Sequence, residues 1–239
     1  MRADLCVRSV RGYTVAALQA EEYATMSSHN QIFEFPTEDA IAHLCDSSVR
    51  MRRMIERIGP FQMEVRATPS VFAALAQSVV YQQLHGKAAA TIFERLCQLF
   101  PRPGAGPTAA GLVELDDATL RSAGLSRNKT LALRDLAART LAKEIPTIKQ
   151  AAKLDNETLI TQLTAVRGIG RWTVEMLLMF RLGRPDVLPV DDFGVRKGYM
   201  LTFGKKEMPT PRELARYGER WAPYRTVASW YMWRAADIG

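Results

Sequence analysis

The feature that most constrains this 239-residue sequence is the stretch VRGIGRWTVEML, residues 166–177, which holds two glycines within three positions. A glycine inside a helix costs roughly 1 kcal/mol relative to alanine, so Gly168 and Gly170 predict that one helix ends and another begins here. The apolar spacing of LITQLTAV before the glycines and of RWTVEMLL after them is typical of helices. The sequence therefore predicts a helix-hairpin-helix over residues 163–178.

The glycine turn has a chemical consequence, because it leaves backbone N–H groups at the start of a helix without side-chain cover. A phosphate can approach such groups closely and meet the positive end of the helix dipole. Contacts of this kind bind the DNA backbone without reading its sequence. We expect them at Arg167, Gly168, Ile169, Gly170 and Arg171. An ordinary tight turn between packed helices would have the same glycines, so this segment alone leaves both interpretations open.

Two adjacent carboxylates, Asp191 and Asp192, follow the hairpin helix in the segment LPVDDFGVRKG. One carboxylate at the start of a helix is explained by capping, but a second is not needed for that purpose. A carboxylate beside DNA repels phosphates, so a DNA-binding protein should keep one there only for chemistry. When an N-glycosidic bond is hydrolysed, the sugar gains oxocarbenium character that a nearby carboxylate stabilises.

Composition agrees with a polyanionic partner without proving one. Lys and Arg total 32 against 25 Asp and Glu, a net charge of +7, which favours nucleic acid but also fits a merely soluble basic protein. The three cysteines, Cys6, Cys45 and Cys97, suit neither a disulfide framework nor a zinc or iron–sulfur ligand set, and we expect reduced thiols. No segment has the character of a membrane span or a secretory signal. We expect a soluble, cytoplasmic protein.

Apolar periodicity predicts helices in nearly every segment, so the predicted fold class is all-α. One helix is predicted from an N-cap at Thr37 to the stop at Gly59-Pro60, and another after the cap residue Ser70, ending near His85-Gly86. The segment FQMEVR alternates like a short strand with no obvious partner, and a small N-terminal β element stays open. Further helices are predicted in KAAATIFERLCQLF, around 117–123, in NKTLALRDLAARTLAKE, in DNETLITQLTAV, from the hairpin to Leu182, and in two C-terminal segments, whereas residues 101–107 are predicted as a loop.

The order LTAVRGIGRWTVEMLLMF, then LPVDDFGVRKG, resembles the helix-hairpin-helix, Gly/Pro and aspartate motif of the DNA glycosylase superfamily, and within it the 3-methyladenine DNA glycosylase II family. The similarity runs from about Pro69 to Trp233 and includes VVYQQLHGKAAATIF, GLSRNKTLALRDLA and RYGERWAPYRTVASWYMWR. It implies two helical subdomains with the active cleft between them, where an alkylated base is flipped out of the duplex and excised. The implied domains are an N-terminal arm at 1–36, a discontinuous helical subdomain from 37–69 and 189–239, and a six-helix subdomain at 70–188 that contains the hairpin.

The resemblance also assigns roles to single residues. The catalytic aspartate falls on Asp192, with Asp191 as a cap or outer residue, although a shift of one position stays open. Trp172 lies where bifunctional relatives place a Schiff-base lysine, which implies a monofunctional enzyme that uses water. Trp233 matches a second aromatic of the base pocket, and an aromatic face attracts the positive charge of alkylated purines. Trp221 and Trp230 are expected in the core.

Other positions complete the implied site. Met176, where the best-known bacterial form has a tyrosine, and Tyr81 join Trp172 and Trp233 in the base pocket, and Gln83 matches the residue inserted into the gap left by the flipped base. No cofactor is implied beyond a monovalent cation that relatives hold on hairpin carbonyls, here those of Thr164, Val166 and Ile169.

The resulting expectation is a monomeric, monofunctional DNA glycosylase that removes alkylated purines of the 3-methyladenine and 7-methylguanine type from duplex DNA in base excision repair. The alternative is a non-catalytic helix-hairpin-helix protein that binds DNA. Asp192 and the two stacking tryptophans weigh against that alternative, because a pure binder does not need them.

Overall fold

The computed structural model describes residues 30–31 and 35–239, and this part of the chain is almost entirely α-helical. The predicted all-α class is confirmed. Within the described ranges, no helix is both long enough and apolar enough to cross a membrane. The elements are β1 (Asn30–Gln31), α1 (Thr37–Ser47), α2 (Val49–Ile58), β2 (Val65–Arg66), α3 (Val71–Tyr81), α4 (Gly86–Gln98), α5 (Ala109–Glu114), α6 (Asp117–Ser122), α7 (Arg127–Leu141), α8 (Ile148–Ala151), α9 (Asn156–Thr164), α10 (Arg171–Phe180), α11 (Phe193–Phe203), α12 (Pro211–Gly218) and α13 (Arg225–Ile238).

The first predicted helix is two helices. Thr37 is the first residue of α1 and not its N-cap, since Pro36 occupies that position, and the helix breaks at Ser48. The Ser48 hydroxyl accepts a hydrogen bond from the backbone N–H of Met51 at 3.1 Å and caps α2. A serine side chain competes with the helical backbone in this way, which explains a break that apolar spacing does not reveal. The predicted stop is confirmed, because α2 ends at Ile58 before Gly59, whose φ is 92°.

A small N-terminal β element exists. Only Val65–Arg66, the end of the FQMEVR segment, form a strand, and their partner is Asn30–Gln31. The rest of the predicted arm at 1–36 lies outside the described residues, apart from 35–36.

The remaining helices follow the sequence pattern with three differences. Ser70 caps α3 as predicted, its hydroxyl accepting from Ala73 N at 3.0 Å, but α3 ends at Tyr81, before the predicted end near His85-Gly86. The short helices α5 and α8 were not predicted, since each is too short to show a period. The predicted loop contains a 3₁₀ turn at Pro103–Ala105.

The chain divides into two compact units. The described part of the first consists of residues 30–31, 35–65 and 178–239. In it, α11 packs on α13 so closely that a Cβ on Gly198 would lie 1.8 Å from the Met232 carbonyl oxygen. Trp221 is fully buried and Trp230 is 9% exposed, which confirms that both tryptophans are core residues.

The described part of the second unit consists of residues 66–177. It contains helices α3 to α9 and the first part of α10, and its interior is built on leucines from these helices, among them Leu75, Leu133, Leu136 and Leu159. It ends at Leu177, inside α10, where the sequence interpretation placed the end at Leu188. It also holds more helices than the predicted six.

Candidate functional site

The predicted hairpin is present between α9 and α10. Gly168 has a φ of 75°, a left-handed conformation that L side chains rarely adopt, so the turn requires glycine at this position. Gly170 is different, because it has no such φ and a Cβ built on it would meet nothing within 4 Å. The fold itself therefore does not require glycine at position 170, although the missing side chain leaves the backbone uncovered.

Only some of the hairpin N–H groups are available to a ligand. Ile169 donates its N–H to the Val166 carbonyl at 3.1 Å, and Arg167 donates its N–H to Asp135 Oδ2 at 2.7 Å. Within the described part of the chain, no hydrogen-bond acceptor is found for the N–H groups of Gly168 and Gly170. Two unpaired donors beside a helix start are suited to an anion.

The two arginines that flank the glycines have different surroundings. Arg171 pairs with Glu157, at 2.9 Å from Nη1 to Oε2, and with the buried Glu175, at 3.0 Å from Nε to Oε1. These acids raise the pKa of Arg171, and the hydrogen bonds to Glu157 have the largest effect. Arg167 is exposed, and among the described residues no partner is found for its side chain, whereas its backbone N–H donates to Asp135. The Arg167 side chain is therefore better placed than that of Arg171 to meet a phosphate.

The aspartate pair lies in the first unit, at the start of α11. Asp192 is the N-cap, and its Oδ1 accepts hydrogen bonds from Val195 N and from Trp233 Nε1, both at 2.8 Å. Asp191 is exposed and does not cap the helix, so of the two roles expected for it, cap or outer residue, the role of cap is wrong. One oxygen of Asp192 thus accepts hydrogen bonds from both the first turn of the helix and the indole, and these two bonds fix the orientation of the carboxylate.

The sequence DDFG explains how the indole reaches the carboxylate. A Cβ on Gly194 would lie 2.7 Å from Trp233 Cδ1, so a residue without a side chain is needed there. The indole also stacks on Phe180, with ring centroids 5.8 Å apart and an interplanar angle of 25°.

The segment before the aspartates is tied to the start of α13 by Arg225, which donates two hydrogen bonds, of 2.6 and 2.8 Å, to the Asp186 carboxylate.

The other predicted pocket residues lie in the second unit. Trp172 and Met176 are one helical turn apart on α10, with Trp172 49% exposed and Met176 half-buried. Tyr81 is half-buried at the end of α3, and its ring meets Phe93 edge-on at 6.2 Å. Gln83 follows in an exposed turn with a φ of 57°, which is unusual for a residue other than glycine.

Two residues near the hairpin were missed by the sequence interpretation. Gln82 donates from Nε2 to the Gly168 carbonyl at 3.0 Å and reaches Thr173 Oγ1 at 3.5 Å, and Asp135 holds the Arg167 N–H. Both contacts join positions far apart in the chain, so no local pattern reveals them. For Gln82 the sequence offers one weak signal, a polar residue directly after an apolar helix, but this is also typical of an ordinary helix end.

The sequence of this chain is similar to those of proteins whose family is known. The family described as "HhH-GPD superfamily base excision DNA repair protein" matches residues 76–223, which include the hairpin, the aspartate pair and α12. DNA-3-methyladenine glycosylase 1 of Schizosaccharomyces pombe is 36% identical over 200 residues, which cover 82% of this chain and 86% of that protein.

The fold of this chain is also similar to solved structures of proteins with the same activity in their names. The structure of the Schizosaccharomyces pombe 3-methyladenine DNA glycosylase in complex with abasic DNA has a TM-score of 0.72 and 37% identity, over 82% of this chain and 95% of that one. The structure of a DNA-3-methyladenine glycosidase from Bacillus halodurans has a TM-score of 0.74 and 35% identity, over 85% of this chain and 90% of that one.

Proposed function

The chain belongs to the HhH-GPD superfamily of base excision DNA repair proteins, and on that premise we propose that it is a monofunctional DNA glycosylase. Its substrates are alkylated purines of the 3-methyladenine and 7-methylguanine type in duplex DNA, and it releases them by hydrolysis. The observation that carries the proposal is the Asp192 carboxylate, fixed at the start of α11 by Val195 N and Trp233 Nε1.

The reaction needs one negative charge at the sugar. As the bond between C1′ and the base nitrogen breaks, the electron pair leaves with the base and the sugar becomes oxocarbenium-like. A carboxylate held in advance stabilises this charge without reorganising. Water adds its oxygen to C1′ and loses a proton, which leaves an abasic site.

The proposed substrate class rests on the positive charge of alkylated bases and on the aromatic faces of two tryptophans. Alkylation at N3 of adenine or N7 of guanine gives the base a positive charge, which weakens the glycosidic bond and attracts an aromatic face by about 0.5–2 kcal/mol. Trp172, exposed on α10, and Trp233 are the proposed stacking residues. Because residue 172 is an indole and not a lysine, no Schiff base forms with the sugar and the strand stays intact.

The hairpin and the turn after α3 are proposed to hold the duplex. The unpaired N–H groups of Gly168 and Gly170 and the Arg167 side chain bind phosphate, and Gln83 fills the gap left by the flipped base. The net charge of +7 favours the same polyanion. We propose that the protein acts on DNA as a monomer.

A monovalent cation at the hairpin is a further part of the proposal. The last residues of a helix leave carbonyls without intrahelical partners, which fits Thr164 at the end of α9. The Val166 oxygen already accepts the Ile169 N–H but has a second lone pair, so carbonyl ligands at these positions suit a hard cation. Bound there, the ion would add positive charge near the phosphate.

The proposal is tested with duplexes that each carry one 7-methylguanine, 3-methyladenine, hypoxanthine or 8-oxoguanine. We expect an alkali-labile abasic site from the alkylated duplexes, an unbroken strand without alkali, and no covalent adduct after borohydride treatment. Tight duplex binding without release of any base would contradict the glycosylase and support the non-catalytic alternative.

A further inference from the structure

Two side chains from other parts of the second unit hold the hairpin backbone. Asp135 on α7 accepts the N–H of Arg167 at 2.7 Å, and Gln82 donates to the carbonyl of Gly168 at 3.0 Å. The peptide group after Gly168 is therefore fixed at both ends, because its N–H, on Ile169, donates to Val166. The N–H groups on either side of this peptide group, those of Gly168 and Gly170, are the ones available to phosphate.

The two anchors differ in what they connect. Asp135 lies in the middle of α7 and is itself paired with Arg139, with 3.1 Å between Oδ2 and Nε. Gln82 lies at the end of α3, and the next residue is Gln83, in the strained turn. A hydrogen bond from Gln82 thus ties the turn that carries Gln83 directly to the hairpin backbone.

The end of α3 is braced a second time. Lys129 of α7 donates from Nζ to the Val80 carbonyl at 2.7 Å, so the helix end is held on α7 while the Gln82 side chain is held on the hairpin. The half-buried Gln82 amide also lies 3.5 Å from the buried hydroxyl of Thr173. The Gln82 backbone is thus held by the braced helix end, and its amide is held by the hairpin. Because both ends of the side chain are fixed, it keeps the turn at a defined distance from the hairpin better than a mobile surface glutamine would.

We propose that Gln82 is a positioning residue that couples the grip of the hairpin on the DNA backbone to the placement of Gln83 in the duplex. This inference rests on the proposed function, which gives Gln83 its role in the duplex. When the hairpin binds phosphate, the Gln82 amide keeps the turn at a fixed distance from that phosphate. Without the hydrogen bond, the turn must be ordered during binding, and the cost falls on the step in which Gln83 enters the duplex.

The test measures affinity for two duplexes, one undamaged and one with a stable abasic-site analogue, and uses the ratio of the two. We expect Gln82→Met, which keeps the size of the side chain but removes the donor, to lower this ratio about five- to tenfold. The affinity for the undamaged duplex should change less than twofold, because Asp135 still holds the hairpin. Gln82→Glu, which places a carboxylate against the Gly168 carbonyl, should lower the ratio at least as much and serves if the methionine variant does not fold.

Two controls make the assignment specific. Asp135→Ala removes the other anchor of the hairpin, so it should change both affinities by similar factors and leave the ratio within about twofold. In a Gln83→Ala background, Gln82→Met should change the ratio less than twofold, since the residue it positions is absent.

An equal effect of Gln82→Met in both backgrounds, or an unchanged ratio in the otherwise native protein, would overturn the inference. The abasic analogue has no base to release, so this measurement does not depend on excision. A protein that released no base would refute the proposed glycosylase without altering the ratio, and the two failures can be told apart.

Discussion

The starts of α10 and α11 are the same kind of structure with opposite chemistry. At the start of α10, Gly170 has no side chain to cap the helix, and nearby N–H groups have no acceptor within the described residues. At the start of α11, Asp192 caps the helix with its own carboxylate. A helix start favours negative charge in both cases. The first leaves that charge to be supplied by a ligand, whereas the second supplies it from the chain.

We propose that this difference separates binding from chemistry. An open helix start accepts a phosphate of any DNA and contributes affinity. A carboxylate at a helix start repels phosphate, so in a DNA-binding site it costs affinity, and beyond capping the helix it is useful where positive charge develops. We therefore expect substitutions at the two helix starts to affect different measurements.

The largest effect is expected at Asp192. Asp192→Asn should slow base release by roughly two or more orders of magnitude, because an electrostatic stabiliser of the transition state is lost. Asparagine is also a good N-cap, and its oxygen can still accept from Val195 N and Trp233 Nε1, so the fold should persist. Duplex affinity should stay equal or increase. If Asp191→Asn were the inactive variant instead, the assignment would be wrong by one residue.

Substitutions of the hairpin glycines should reduce affinity about tenfold, for damaged and undamaged duplexes alike. Gly168→Ala combines two effects, because its φ of 75° is strained for alanine and its Cβ would lie 3.3 Å from the Ala132 Cβ. Gly170→Ala meets no protein atom within 4 Å, so its melting temperature should match that of the native protein. A loss restricted to one lesion would place the hairpin in the base pocket and contradict the comparison.

The hydrogen bond between Trp233 and Asp192 should contribute about tenfold to the rate. Trp233→Phe keeps an aromatic ring but removes the N–H that donates to Oδ1, and a hydrogen bond to a charged group has a net value of about 1.5–3 kcal/mol. Single-turnover rates should fall for charged and neutral bases alike, while duplex affinity stays constant. Unchanged rates would show that the indole N–H is not needed to orient the carboxylate.

The smallest expected effect is one of selectivity and concerns Trp172. Trp172→Leu removes stacking from every base and the cation–π attraction from charged bases alone. Release of 7-methylguanine should therefore slow at least about threefold more than release of hypoxanthine. Trp172 suits this test better than Trp233, whose indole also holds Asp192. Equal slowing of both bases would mean that the tryptophan acts by shape.

The sequence was sufficient where the cause of a feature is local. The RGIG turn is visible because glycine is costly in a helix, and the helix start at the aspartates is visible from DDFG alone. The contacts that orient these groups join distant residues, with a separation in sequence of 41 for Trp233 and Asp192 and of 86 for Gln82 and Gly168. Periodicity carries no information about such pairs.

The identity of the cap shows the same limit on a smaller scale. Both Asp191 and Asp192 are good caps by propensity, and only the backbone path after Pro189 decides that Asp192 takes the role. Arg171 shows the same limit, because the carboxylates that pair with it come from α9 and from the next turn of α10. The sequence therefore predicts an arginine that can bind phosphate, whereas in the fold this arginine is already in ion pairs.

The central claim, that one helix start binds DNA and the other performs chemistry, is tested most directly by measuring two quantities for Asp192→Asn and Gly170→Ala on the same 7-methylguanine duplex. These are the dissociation constant and the single-turnover rate at saturating enzyme. We expect Asp192→Asn to lose at least about a hundredfold in rate with no loss of affinity. We expect Gly170→Ala to lose about tenfold in affinity while its saturated rate stays within about twofold of the native value. A loss of both quantities in both variants would show that binding and chemistry are not divided between the two helix starts, and would contradict the account.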